Sequence, residues 1–176
     1  MFFFCLPLIL GCGKSGTESS NFFLSNEYPE KLSDWSLIWL DGDSIKISDD
    51  STVYKLNSSL FSDYASKLRT LRLPKGQAAV YEEHDSFVFP VGTIISKTFF
   101  YRSSNQQTVS LNSNWSGSPE DLTLDNTRLI ETRLLVMQET GWEALPYIWK
   151  GGDAYLTITG DLQELMLADA DEKFFY

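Results

Sequence analysis

Two stretches decide the fold: TIISKTFFY at 93–101 and RLIETRLLVM at 128–137. Both are rich in Ile, Leu, Val, Thr and aromatic residues, which fit a pleated, half-buried surface. Side chains alternate between the two faces of a strand. In the second stretch this rule puts Ile130, Thr132, Leu134 and Val136 on one face and Glu131 and Arg133 on the other. In the first it sends the rings of Phe99, Phe100 and Tyr101 to both faces. That strand is therefore expected to be covered on both sides, one of them beneath the polar excursion that follows it.

Working outward, segments 52–56, 68–73, 78–81, 87–89, 142–149 and 154–159 also read as strands. Turn signals separate them at Pro74-Lys75-Gly76, Pro90-Val91-Gly92, Glu139-Thr140-Gly141 and Gly151-Gly152. Many short strands with this punctuation predict a mainly β domain, an antiparallel β-sandwich-like fold. Short helical turns are expected near 29–36 and 59–66, and one long polar surface loop over 103–127. Segment 161–168 reads as a short helix or a strand. Phe174-Phe175-Tyr176 reads as the start of a strand, so the domain is expected to be incomplete at its C-terminus.

The N-terminal twelve residues, MFFFCLPLILGC, are an apolar run closed by Gly11-Cys12 and followed at once by polar sequence. The run is too short for the ~20 residues of a membrane-spanning helix and has the shape of a secretion signal. Its ending resembles a bacterial lipobox, in which the Cys sulfur receives a diacylglycerol. The expected organisation is a lipoprotein signal peptide over 1–12 with lipidated Cys12, a flexible tether over 13–27 and a β-rich domain over 28–176. Gly13, rather than Asp, follows Cys12. Under enterobacterial sorting this favours the periplasmic face of the outer membrane, so the expected location is the bacterial cell envelope and the membrane is a partner through the lipid anchor.

The chain has 176 residues, 24 of them acidic and 14 basic, for a net charge of −10. That balance argues against nucleic acid as a partner, because phosphate backbones are met by clustered Lys and Arg. With one His and two Cys it cannot furnish several metal sites or a disulfide framework. With Cys5 removed and Cys12 lipidated, the mature domain has no thiol nucleophile.

Three charged residues sit inside apolar strands: Lys97, Glu131 and Arg133. If the two deciding strands are neighbours, Lys97 lies opposite Glu131. Half-buried charges need partners. The cluster is either an ion-pair group that fixes strand register or a polar floor for a ligand or docked domain. Trp142, Tyr147 and Trp149, with Tyr155, are either core or an aromatic surface for a saccharide or protein. His84 lies in Glu82-Glu83-His84-Asp85, a solvated acidic turn and not a metal site. No nucleophile or acid–base constellation emerges, so the chain is expected not to be an enzyme.

Three groups of motifs occur together: YKLNSSLFSDYASK at 54–67, FPVGTIISKTF at 89–99, and LIETRLLV at 129–136 with GWEALPYIW at 141–149; Leu32-Ser33-Asp34 precedes them. This series resembles the N-terminal region of a family of envelope-located diheme c-type cytochromes of poorly known role, over about 28–176. The resemblance implies electron transfer by a complete protein carrying c-type haem, with a haem domain or redox protein as partner. In that family the β region is followed by Cys-x-x-Cys-His segments, which have no counterpart in this chain. The chain itself is expected to be the non-catalytic β portion, without a cofactor of its own. The alternative is an envelope lipoprotein binding module that works through surface aromatics.

Overall fold

The computed structural model describes residues 23, 27–58, 60–111, 115–159, 162–168 and 172–176. The expected signal segment, Cys12 and nearly all of the expected tether lie outside the described residues. Eleven strands follow in order: β1 (Ile38–Asp41), β2 (Ser44–Ile47), β3 (Ser51–Val53), β4 (Ser66–Arg72), β5 (Ile94–Ser103), β6 (Thr108–Ser110), β7 (Thr127–Gln138), β8 (Gly141–Lys150), β9 (Asp153–Leu156), β10 (Glu164–Leu167) and β11 (Lys173–Phe175). The fold is mainly β and sandwich-like, as its sequence pattern predicts.

The long strands β5, β7 and β8 are antiparallel neighbours and form the middle of the sheet. β4 pairs with the first part of β5 on its other side, from Arg72 opposite Ile94 to Ser66 opposite Phe100. β6 takes over that edge at Arg102 and Ser103. β10 then joins β6 in parallel and β11 closes on β10, so the sheet is mixed rather than wholly antiparallel. Gly141, with φ +116°, makes the tight turn between β7 and β8, a conformation costly for any residue with a Cβ.

β1 and β2 form a separate hairpin that supplies the second layer. Together with a 3₁₀ turn, Leu32–Trp35, they lay Leu32, Trp35, Leu37, Ile38 and Ile45 on the sheet. From the sheet, Leu68, Ile94, Phe100, Leu129, Leu134, Val136, Tyr147 and Trp149 meet them. Phe23, inside the segment expected to be a tether, packs edge-on against Trp35 at 4.7 Å.

A smaller cluster occupies the opposite face of the sheet. Phe99, Tyr101, Val109, Ile130 and Leu165 are buried there, with Phe174 and Tyr176 against them. The three consecutive rings do point to both faces: Phe100 enters the main core, while Phe99 and Tyr101 enter the second.

Strict alternation along β7 fails at one point. Phe99 is opposite Glu131 but Phe100 is opposite Leu129, leaving Ile130 as an extra residue. This bulge switches the phase of the strand. Leu129 therefore joins Leu134 and Val136 in the main core, and Ile130 turns to the second cluster, contrary to the expectation that it shares a face with Thr132.

The described parts of the segment expected as a long surface loop, 103–111 and 115–127, carry more regular structure than their composition implies. They hold β6 and a 3₁₀ turn, Pro119–Asp121, and they bury Val109 and Leu122. Trp115 packs edge-on against Phe100 at 5.3 Å. The helical turn expected near 59–66 is not found among the described residues; the chain instead passes through Asp63 and Tyr64 at positive φ before entering β4. Segments 78–81 and 87–89 form no full strands. They meet in a single pair, Val80 with Val88.

Hydroxyl groups cross the inner face of the sheet and satisfy one another. Thr70 Oγ1 and Ser96 Oγ lie 2.6 Å apart, and Thr98 Oγ1 and Thr132 Oγ1 2.7 Å apart. Trp149 Nε1 donates to Thr132 Oγ1 at 3.0 Å. Trp35 Nε1 donates to the Tyr147 hydroxyl at 2.7 Å, which donates onward to the Pro29 carbonyl at 2.8 Å. Removing a member strands its buried partners, at about 1–3 kcal/mol. Thr132→Val is therefore expected to lower unfolding free energy by about 2 kcal/mol in urea denaturation, through the Thr98 hydroxyl and Trp149 indole it leaves unpaired.

Burial pushes the Tyr147 phenol up to about 12, and burial with the hydrogen bond to Glu143 does the same for Tyr28. In the unfolded chain these phenols ionise near 10. The unfolded state thus loses its protons first as pH rises, and folding stability held below pH 10 falls progressively toward pH 12. Urea denaturation at stepped pH is expected to show this decline, and Tyr147→Phe to make it shallower.

Candidate functional site

The outer face of the sheet, opposite the main core, is where the charges collect. Each strand exposes one parity there: Lys67, Arg69 and Leu71 on β4; Ile95 and Lys97 on β5; Glu131, Arg133 and Leu135 on β7; Trp142, Ala144 and Pro146 on β8. Register then sets who meets whom. Arg69 is opposite Lys97, Lys97 is opposite Arg133, and Arg133 is opposite Pro146. Three cations thus stand side by side across three adjacent strands.

This arrangement differs from the one predicted. Lys97 faces Arg133, not Glu131, and Phe99 takes the place opposite Glu131. Glu131 is nearly buried and accepts a hydrogen bond from Arg133 Nε at 2.7 Å, two residues along the same strand. The predicted cluster of Lys97, Glu131 and Arg133 is therefore brought together, but with one ion pair within β7 and a surplus of positive charge across the strands. Lys97 Nζ and Arg133 Cζ both approach the Phe99 ring, at 4.9 and 4.8 Å from its centroid. The ring's negative face offsets part of the repulsion. Lys67 adds a fourth cation in the next register and donates to the Leu60 carbonyl at 2.7 Å.

Among the described residues, no carboxylate lies within ion-pair distance of Arg69 or Lys97. Burial, then Arg133 and Arg69, push the Lys97 ammonium pKa down, with Glu131 opposing. Burial and the same neighbourhood of cations lower that of Lys67. Glu131 holds Arg133 above its ordinary value. The site is electropositive in a chain whose net charge is −10.

A groove of about 590 Å³ opens along this face. Arg69, Lys97, Glu131 and Arg133 line it, and Tyr54, Leu56, Leu60, Ile95, Leu135, Ala144 and Pro146 wall it with apolar surface. This volume is in the range of small-molecule sites.

The predicted aromatic surface divides. Tyr147 and Trp149 are buried, at 0% and 5% exposure, and belong to the main core. Trp142, of opposite parity on β8, stays 39% exposed. It begins a different run of rings: Phe89 lies 5.5 Å from Trp142, Phe87 6.1 Å from Phe89, and Tyr81 5.9 Å from Phe87. These neighbours are tilted by 70°, 48° and 64°, so they make a ridge rather than a flat platform.

The haem implied by the resemblance does not fit the residues of this chain. A c-type haem is attached through Cys-x-x-Cys-His. Cys5 and Cys12 are seven positions apart, and His84 stands alone in an exposed turn. Among the described residues no three His, Cys, Asp or Glu side chains gather into a possible metal group. No helix among them is long and apolar enough to cross a membrane.

Comparison with protein-family models, curated proteins and solved structures finds no match for this chain.

Like charges directly opposite one another on neighbouring strands destabilise a sheet by up to about 1 kcal/mol. Lys97→Met, which keeps the length of the side chain, is expected to raise unfolding free energy by about 0.5 kcal/mol at low ionic strength. The gain should shrink in 1 M salt, where the Debye length is about 3 Å. Urea denaturation at the two salt concentrations checks it.

Proposed function

We propose that this chain is the non-catalytic β domain of an envelope electron-transfer lipoprotein of the diheme c-type cytochrome class, anchored by lipid at Cys12. Its role is to present the outer sheet face to a haem-bearing partner, either a further domain or a separate redox protein. The row Arg69–Lys97–Arg133 carries this reading. A sheet that sets three cations side by side, with one ion pair among them, has given up stability at that point. An acidic surface or a haem propionate arriving there would supply the missing negative charge and speed encounter by long-range attraction. The motifs of the resemblance support the same face: FPVGTIISKTF runs into β5, LIETRLLV lies in β7 and GWEALPYIW opens β8.

A second reading, a haemless binding module, draws on the exposed ridge Tyr81–Phe87–Phe89–Trp142. Its tilted rings suit a protein partner better than a saccharide, which stacks on flat aromatic faces.

One experiment separates the two. The native gene product is recovered from its host with antibody to this domain, stained for covalent haem, and labelled with radioactive palmitate. The electron-transfer reading expects a haem-positive, palmitate-labelled product and loss of label in Cys12→Ala. A haem-negative product that still carries palmitate overturns it in favour of the binding module.

A further inference from the structure

The outer sheet face changes character over a short distance. In one register Arg69, Lys97 and Arg133 follow one another across β4, β5 and β7. Two residues along, Leu71, Ile95, Leu135 and Ala144 follow one another across β4, β5, β7 and β8. Two residues further, Met137 is paired with Trp142, on which Phe89 packs. Four residues of extended chain span about 13 Å. Over that length the surface passes from paired cations through aliphatic side chains to an indole, all within or beside one groove.

The apolar part is left open to water. Leu135 and Trp142 are each 39% exposed, and Leu56 and Leu60, reaching over from the 54–60 segment, are 43% and 70% exposed. An inorganic anion would answer the cations but leave this surface wet. An uncharged apolar molecule would cover the aliphatic wall but bring no carboxylate to Arg69 and Lys97, which have none within ion-pair distance among the described residues. A ligand that satisfies both has a carboxylate at one end and a hydrocarbon body.

We infer that the groove binds an acyl carboxylate, with the carboxylate on the Arg69–Lys97–Arg133 row and the chain lying along Ile95 and Leu135 toward Trp142. Arg69 offers forked N–H donors, Arg133 the terminal N–H groups left over from its Nε bond to Glu131, and Lys97 a point charge between them, so a carboxylate there accepts charge-assisted hydrogen bonds in a partly desolvated site. The aliphatic register then removes hydrocarbon from water at about 25 cal/mol per Å². The inference rests on reading this face as a binding face, and it names the chemistry that the face selects.

The test uses sodium decanoate, decanol and sodium acetate as probes, followed by calorimetry and by the change in tryptophan fluorescence that is lost in Trp142→Phe. Decanoate is expected to bind about tenfold or more tightly than decanol, since a charge-assisted contact contributes more than the 1.4 kcal/mol that a factor of ten represents, and about tenfold or more tightly than acetate, since only its chain removes hydrocarbon from water. Arg69→Gln/Lys97→Gln is expected to reduce decanoate affinity to that of decanol while its far-ultraviolet circular dichroism stays unchanged. Leu135→Asn, a change at an exposed position, should weaken decanoate and leave acetate as it was. Equal binding of decanol and decanoate, equal binding of acetate and decanoate, or no binding of decanoate would each overturn the inference. Salt-dependent binding of an acidic haem protein, measured on the same preparation, separates this failure from that of the docking reading. Partner binding without decanoate binding removes the acyl carboxylate alone. Decanoate binding without partner binding removes the haem partner alone.

Discussion

One extra residue organises this molecule. Ile130 stands in β7 with no counterpart in β5, between the pairs Phe99–Glu131 and Phe100–Leu129. Had the alternation continued unbroken, Leu129 would have faced the second cluster and Ile130 the main core. Shifting the phase by one lets the same strand supply Leu134, Val136 and Leu129 to one core while sending Ile130 to the other. Glu131 keeps the face it shares by parity with Arg133, so Ile130 and Glu131 both turn to the outer side of the sheet. Bulges bend a strand and add to its twist. Here the bend falls where the edge of β5 passes from β4 to β6, so the sheet curls just where its neighbours change.

The two faces that result have opposite logic. On the inner face every buried polar group described above has found a mate: Thr70 with Ser96, Thr98 with Thr132 and Trp149, Trp35 with Tyr147. The Ser51 hydroxyl, opposite Arg72, has no partner among the described residues, and Arg72 is a second exception. It is 2% exposed and gives one donor to the Trp35 carbonyl at 3.2 Å, while its second terminal nitrogen has no partner. Burial lowers its pKa, but a guanidinium stays charged in a protein. The outer face, by contrast, holds Arg69 and Lys97, with no carboxylate within ion-pair distance of either among the described residues, and several apolar side chains that stay partly exposed. The larger core and its polar pairs lie on one side of the sheet, and the exposed cations and open apolar surface on the other.

How much of this was legible in the sequence follows from strand length and parity. β4, β5, β7, β8 and β9 were readable because each carries Val, Ile, Leu, Thr or aromatic residues over several positions between clear turns. β1, β2 and β6 are not, because three or four residues such as Ser44-Ile45-Lys46-Ile47 or Thr108-Val109-Ser110 leave too little pattern to stand out, and β10 reads equally as a short helix or a strand. Their place is set by tertiary contacts, with Ile45 and Val109 as single buried anchors. The charged cluster was half visible. Glu131 and Arg133 announced themselves by interrupting an apolar strand, but period-two reasoning carries no information about bulges or cross-strand register, so Lys97 was set opposite the wrong residue and Arg69 was missed. Its signal was present: in Leu68-Arg69-Thr70-Leu71-Arg72 it falls out of phase with the buried Leu68 and Thr70. Parity also divided the aromatics, since Leu145, Tyr147 and Trp149 share one face of β8 and Trp142, Ala144 and Pro146 the other. Arg72 could not have been foreseen, as a charge at an inward position reads as an error of phase.

The outermost strands have a consequence for how copies of this molecule behave in concentrated solution. β3 and β11 are three residues long, and β9, with four, is partly closed by the pairing of Lys31 with Tyr155 and by the Leu156 amide on the Glu30 carbonyl at 2.8 Å. Such short borders offer few free amide and carbonyl groups to another strand. In a chain this rich in strand, brevity at these three rims works against stacking rim to rim.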